Sequence, residues 1–227
     1  MDEKDGAARA RKIHAVLLKA YPEIKPFLDY RSPFELLVAV ILSAQTSDRA
    51  VNALGPELFR RFPDAAALAA APQEEVEALI HSLGFYRVKA RHLRQAARKL
   101  LDEYGGEVPA AMEELVGLPG VGRKTAGVIL CQIYGKPAII VDTHFSRVAG
   151  RLGLTEDRDP ARTEKRIAAL LPQGMWSSFS MRINRHGRAV CSARRPACES
   201  CCLRKLCPGT GGGKNNPAKN PLGRARD

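Results

Sequence analysis

Apolar residues along this chain recur mostly at three- and four-residue steps, the period of a helix with one buried face. Pro72–Leu83, PQEEVEALIHSL, places them at 76, 79, 80 and 83 and then meets Gly84. Val88–Tyr104 repeats the pattern and stops at Gly105-Gly106, where glycine accepts the left-handed backbone that closes a helix. Ser32-Pro33 reads as an N-cap followed by proline at the first helical position, opening a helix over Phe34–Ser43. Asp159-Pro160 opens another through Leu171. Pro109–Gly117 reads as a short helix and Thr125–Tyr134 as a longer one, with LPGVGRK between them. A further helix starts near Phe145. Only Ala138–Val141, AIIV, has strand character, and it is short enough to be an apolar linker. No repeat stands out at a fixed period. The expected class is helical.

Length and charge narrow the role. The 227 residues allow one large domain or two small ones, with enough core to fold without disulfides. The formal net charge is +12, and eleven Lys/Arg against two acids, Glu199 and Asp227, fall between Arg182 and Asp227. Such a one-sided excess points to a polyanion, nucleic acid first. The opening MDEKDGAARARK has no apolar segment of the signal-peptide kind. The longest apolar run, LLVAVIL at Leu36–Leu42, is far shorter than the roughly 20 residues that span a bilayer. A soluble, cytoplasmic protein with no membrane partner is expected. The six cysteines are then not a disulfide framework, and five of them crowd between Cys191 and Cys207, which suggests a metal. From Gly209 to Asp227 the composition is that of a flexible basic tail.

LPGVGRKTAG, Leu118–Gly127, has the form of a helix–hairpin–helix turn. Gly120 and Gly122 permit a tight turn and close approach of another backbone, and free N–H groups at the start of the second helix suit a DNA phosphate. Lys124 admits two readings. It is one more phosphate-binding cation, or it is a nucleophile. An ordinary lysine, with pKa about 10.4, is almost wholly protonated at pH 7. A helix N-terminus, a neighbouring arginine such as Arg123, and burial each disfavour the ammonium. Spacing alone does not choose.

Further on, IVDTHFSRVAG places Asp142 before a helix. An aspartate there is ordinarily an N-cap. With an amine as partner it would instead take a proton or stabilise a developing sugar cation. His144 and Arg147, on the same segment, read as structural or phosphate contacts. Near the end, Cys191, Cys198, Cys201 and Cys207 give C-x6-C-x2-C-x5-C, with Cys202 as an extra thiol. Four thiolates suit zinc or a [4Fe-4S] cluster; a single CxxC leans toward iron–sulfur. Adjacent cysteines rarely ligate one centre together, so Cys201 or Cys202 is spare. Cys131 is expected to be a buried thiol. The loop Ser192–Ala197 carries Arg194 and Arg195, which a pinned loop would present to a phosphate backbone.

LPGVGRKTA, VDTH and C-x6-C-x2-C-x5-C, in this order, resemble the endonuclease III family of DNA glycosylases from about residue 10 to Cys207. The resemblance implies an all-α fold of two helical domains with a DNA-binding cleft between them. Residues 26–135 would form a six-helix domain with the hairpin, residues 1–25 and 136–208 an iron–sulfur domain, and 209–227 the tail. It matches Lys124 and Asp142 to the catalytic pair and Cys191, Cys198, Cys201 and Cys207 to the [4Fe-4S] ligands. Gln45, in ILSAQTSD, looks like the residue that fills the gap left by a flipped nucleotide. Phe85, in GFYRVKA, looks like a wedge in the opposite strand. Gly120, Gly122, His144, Arg194 and Arg195 complete the expected DNA contacts.

The implied activity is base-excision repair: removal of oxidised or ring-saturated pyrimidines from double-stranded DNA through a lysine Schiff base, then β-elimination 3′ to the abasic site. A monomer associated with a bacterial-type nucleoid is expected. The nearest alternative, a monofunctional adenine glycosylase of the same superfamily, lacks lysine at the 124 position. A non-catalytic hairpin-and-zinc-knuckle module would explain the charge but gives Lys124 and Asp142 no joint role.

Overall fold

The computed structural model describes residues 3–210, and every regular element among them is a helix or a turn of 3₁₀ helix. The chain folds as two compact units. One is Lys25–Ala138; the other joins residues up to Ile24 with those from Ile139 onward.

The first unit is built around a helix that is buried along nearly its whole length. Ser32 caps α2 (Pro33–Leu42) by accepting a hydrogen bond from the Glu35 N–H, and every residue from Phe34 to Leu42 is buried. A helix apolar on all sides belongs in a core, which is what the LLVAVIL run encodes. Among the described residues no helix is long and apolar enough to cross a membrane. Around α2 lie α3 (Asp48–Arg61), α4 (Ala65–Ala70), α5 (Gln73–Ile80), α6 (Tyr86–Tyr104), α7 (Met112–Val116) and α8 (Arg123–Gln132). α6 turns a stripe of Ala90, Leu93, Ala96, Ala97 and Leu100 inward and ends at Gly105, φ 61°, a left-handed stop.

The second unit packs α1 (Glu3–Ala20), α9 (Thr143–Arg151), α10 (Pro160–Leu170) and α11 (Trp176–Ala189) around a core centred on Ile13, Leu17, Phe145, Phe179 and Ile183. Phe145 and Phe179 meet edge to face with centroids 6.2 Å apart. At Gly187 an added Cβ would stand 3.0 Å from Val148 and 3.1 Å from His144, so glycine lets α11 lie close against α9.

Of the two readings of Ala138–Val141, the apolar linker is the one found: it forms no strand, Ile139 and Val141 are buried, and the Ile140 N–H donates to the Ser180 hydroxyl at 3.1 Å. A lone extended segment has no ladder to join, so its apolar side chains serve a helical core instead. Cys131 is half-buried rather than buried. Gly209 and Thr210, the first residues of the expected tail, belong to a 3₁₀ turn over Pro208–Thr210; residues 211–227 lie outside the described residues.

Candidate active site and DNA interface

The hairpin is fixed from below by two buried side chains. Leu118 and Val121 sit in the core of the first unit, and the Val121 N–H closes the turn onto the Leu118 carbonyl at 3.0 Å. The glycines between and beside them differ in kind. Gly120 has φ +80°, and a Cβ there would meet His92 at 3.0 Å, so both conformation and space demand glycine. Gly122 has an ordinary φ of −94°, and an added Cβ would meet nothing within 4 Å. Nothing inside the protein requires glycine at 122; the bare backbone is open to something outside. Gly122 caps α8 with no side-chain hydrogen bond, which leaves the first-turn N–H groups and the positive helix end free of a carboxylate or hydroxyl cap.

α8 starts two residues earlier than the sequence pattern predicts, so Lys124 is its second residue. Lys124 is exposed, as are Gly122 and Arg123. The burial expected of Lys124 as a nucleophile is therefore not found. In the same unit Gln45 is exposed and Phe85 is 64% exposed, the most exposed large apolar residue described. Both hold left-handed backbone, at φ 53° and 59°.

In the second unit Asp142 is half-buried and fully engaged. Its Oδ1 accepts from the Phe145 N–H at 2.7 Å, which makes it the N-cap of α9. Its Oδ2 accepts from the Asn184 amide, whose oxygen in turn accepts from Arg188 Nε at 2.8 Å. His144 lies beside it, with Nδ1 3.1 Å from Arg147. Burial pushes the His144 imidazole down, while the Asp142 charge pulls the other way. Arg147 is committed to the fold: Nε donates to the Cys191 carbonyl at 3.1 Å and Nη2 to the Gly187 carbonyl at 2.9 Å.

The cysteine loop is braced by α9. Arg151 donates to Cys191 Sγ at 3.2 Å and to the carbonyls of Ser192 and Ala193 at 2.7 and 2.8 Å. Cys191, Cys201 and Cys207 pack against the apolar core, and Cys198 is likewise half-buried; Cys202 is exposed. Burial first pushes the Cys201 thiol up, and the neighbouring Cys202, Cys191 and Cys207 add to it. Among the described residues no three His, Cys, Asp or Glu side chains converge on a point that would hold one metal ion. Arg194 and Arg195 are exposed on the braced loop.

Sequence reasoning missed Asn184, Arg188 and Arg151, which hold the candidate carboxylate and the cysteine loop. It also passed over Lys89, whose ammonium lies 2.5 Å from Thr46 Oγ1.

Comparison with known proteins places these features. Residues 38–173 match the HhH-GPD superfamily of base excision DNA repair proteins. The endonuclease III of Synechocystis is 52% identical over 88% of this chain and 92% of its own. That of Bacillus subtilis is 42% identical over 82% and 86%. The chain belongs to the endonuclease III family. The fold agrees: a trapped covalent intermediate of endonuclease III with DNA, an estranged-adenine complex, superposes with a TM-score of 0.86 at 40% identity, covering 92% of this chain and 97% of that one. As an endonuclease III family member, the protein is a DNA-binding enzyme of base excision repair, a DNA glycosylase and AP lyase.

Proposed function

We propose that this enzyme removes oxidised or ring-saturated pyrimidines from duplex DNA, with Lys124 as nucleophile and Asp142 as its acid–base partner. The observation that carries the reading is Lys124 itself: an exposed amine in the first turn of an uncapped helix, directly after a turn pinned by Leu118 and Val121. Phosphate held at the first-turn N–H groups brings the sugar of an everted nucleotide to that amine. The likeness to a relative that forms a trapped covalent intermediate with DNA supports the same assignment.

In the reaction, neutral Lys124 attacks C1′. The glycosidic bond breaks, and its electron pair leaves with the damaged base, which takes a proton. Asp142 accepts the amine proton and stabilises the positive charge that develops on the sugar. The nitrogen lone pair then opens the sugar ring: the C1′–O4′ bond breaks, O4′ takes a proton, and an imine is left on C1′. The imine acidifies C2′; loss of that proton expels the 3′ phosphate and cuts the strand. Gln45 fills the gap and Phe85 wedges the opposite strand.

Cys191, Cys198, Cys201 and Cys207 would hold a [4Fe-4S] cluster, which supplies a structural staple for the loop bearing Arg194 and Arg195. The donor set fits: four half-buried thiols, three of them packed against one core, with the Arg151 guanidinium donating to Cys191 Sγ and His186 Nε2 3.4 Å from Cys201 Sγ.

The test is chemical trapping. Incubation with a lesion duplex and borohydride should reduce the imine and give a covalent adduct that peptide mapping places on Lys124. An adduct mapping to another amine would overturn the assignment. A panel of duplexes carrying saturated pyrimidines, oxidised pyrimidines and mispaired adenine fixes the substrate class; release of adenine alone would overturn it.

A further inference from the structure

Gln45 and Phe85 are the two non-glycine residues with left-handed backbone among the described residues. Such a conformation is uncommon outside glycine and persists where the surroundings over-determine it. One residue touches both segments. The Lys89 N–H donates to the Phe85 carbonyl at 3.0 Å, and its ammonium donates to the hydroxyl of Thr46, the neighbour of Gln45, at 2.5 Å.

Lys89 is an unexpected occupant of its position. It is 4% exposed, on the α6 stripe whose other members are alanine and leucine. Among the described residues no carboxylate is paired with it, and burial pushes its pKa down. A buried ammonium held by one hydroxyl costs free energy that an apolar side chain of similar size would not. Its amine therefore has a use other than filling the core.

We infer that Lys89 is a positioning residue that locks the Gln45 and Phe85 segments in one frame, so that the two side chains enter the duplex together. The inference rests on the reading of Gln45 and Phe85 as inserting residues. Because Lys89 is buried, its loss should impair lesion opening and leave ordinary phosphate binding intact.

Lys89→Met keeps the stem and removes the donor; Thr46→Val removes the acceptor and keeps the β-branch. Three quantities are read: single-turnover base release, binding to undamaged duplex, and the fluorescence of a 2-aminopurine opposite the lesion, which rises on unstacking. Each variant should slow base release about tenfold and blunt the fluorescence rise, with undamaged-duplex binding and thermal midpoint near wild type. The double variant should be no slower than Thr46→Val, which removes the shared contact together with the 3.4 Å bond from the Thr46 hydroxyl to the Ala44 carbonyl, and Lys89→Arg should recover part of the rate. Amide exchange at residues 45–46 and 85–86 should quicken together. Wild-type release in Thr46→Val overturns the proposal, as does a loss that follows thermal stability alone. If Gln45→Ala and Phe85→Ala blunt the fluorescence but Lys89→Met and Thr46→Val do not, the positioning role alone fails. If Gln45→Ala and Phe85→Ala also leave it unchanged, the insertion reading fails and the proposal with it.

Discussion

Lys124 and Asp142 both stand at the start of a helix, yet they are fixed by different means. Lys124 is exposed beyond a cap that makes no side-chain bond, and its place depends on the buried Leu118 and Val121 and on the shape of Gly120. Asp142 is itself the cap, half-buried, with both carboxylate oxygens in hydrogen bonds. The amine is presented by apolar packing and backbone geometry and remains free to react. The carboxylate is held by a polar chain through Asn184 to Arg188. Substitution at the first should affect chemistry and spare the fold. Substitution at the second should affect both.

Lys124→Gln gives the largest effect. It keeps length and polarity and removes the nucleophile. Borohydride trapping and strand cleavage should vanish, a loss beyond about 10⁴-fold, with stability within about 0.5 kcal/mol of wild type. DNA binding should weaken only by one charge. Cleavage of bound DNA at the wild-type rate would reduce Lys124 to a phosphate contact.

Asp142→Asn comes next and should contrast with it. Base release should slow by about 10²–10⁴-fold, the range for a positioned acid–base group. Asparagine still caps a helix. Its side-chain N–H₂, in the place of Oδ2, would, however, face the donating N–H₂ of Asn184, whose oxygen is already used by Arg188. A buried donor without an acceptor costs about 1–3 kcal/mol, so this variant should also melt earlier. Unchanged melting would show that the polar chain is not what holds Asp142.

Cys198→Ser extends the comparison to a loop held by arginines and, in the proposed reading, by a cluster. Iron should be lost, and amide exchange should quicken across residues 190–207 while α2 and α8 stay protected. Cys202→Ser, at the exposed thiol, should retain full iron. Loss of iron in Cys202→Ser with retention in Cys201→Ser would shift the ligand assignment by one residue.

The same contrast explains what could be seen from sequence. The hairpin was legible because its determinants are contiguous: two glycines, two apolar anchors and a lysine within one turn. The cap at Asp142 was legible for the same reason. Asn184 was not, since it reaches Asp142 across 42 residues and nothing local distinguishes it from a surface asparagine. Gly187 and Arg151 act at similar range. Lys89 occupies an apolar position in a helical stripe with a charged residue, which ordinarily signals a solvated edge. AIIV carries the β-branched signature of a strand, but pairing is a property of neighbours, and among the described residues there is no strand to pair with.

Gly120→Ala and Gly122→Ala separate anchoring from presentation within the hairpin. Gly120→Ala forces a side chain into φ +80° and against His92, and should cost about 1–3 kcal/mol in stability. Gly122→Ala meets no protein atom and should leave stability within about 0.5 kcal/mol. Its methyl would stand where the phosphate approaches, so DNA affinity should fall instead. Equal melting losses in the two would show that Gly122 also serves the fold.

The smallest effect is expected at Arg194 and Arg195. Both are exposed, and they ride on a loop fixed by Arg147 and Arg151 from α9 and by the Ser192 hydroxyl, which donates to the Arg195 carbonyl at 2.6 Å. An exposed arginine contributes to DNA affinity mainly by releasing a counterion, at a log–log salt slope of about −0.9 per phosphate neutralised. Arg194→Ala with Arg195→Ala should therefore flatten the salt slope by up to about two units. Lesion preference and melting should stay as in wild type. The measurement is binding to a lesion duplex and its undamaged counterpart across a salt series. Parallel loss on both duplexes identifies backbone contacts that hold no base information. A preserved slope would mean that the braced loop presents its arginines to solvent, and that positive charge elsewhere in the chain carries the DNA.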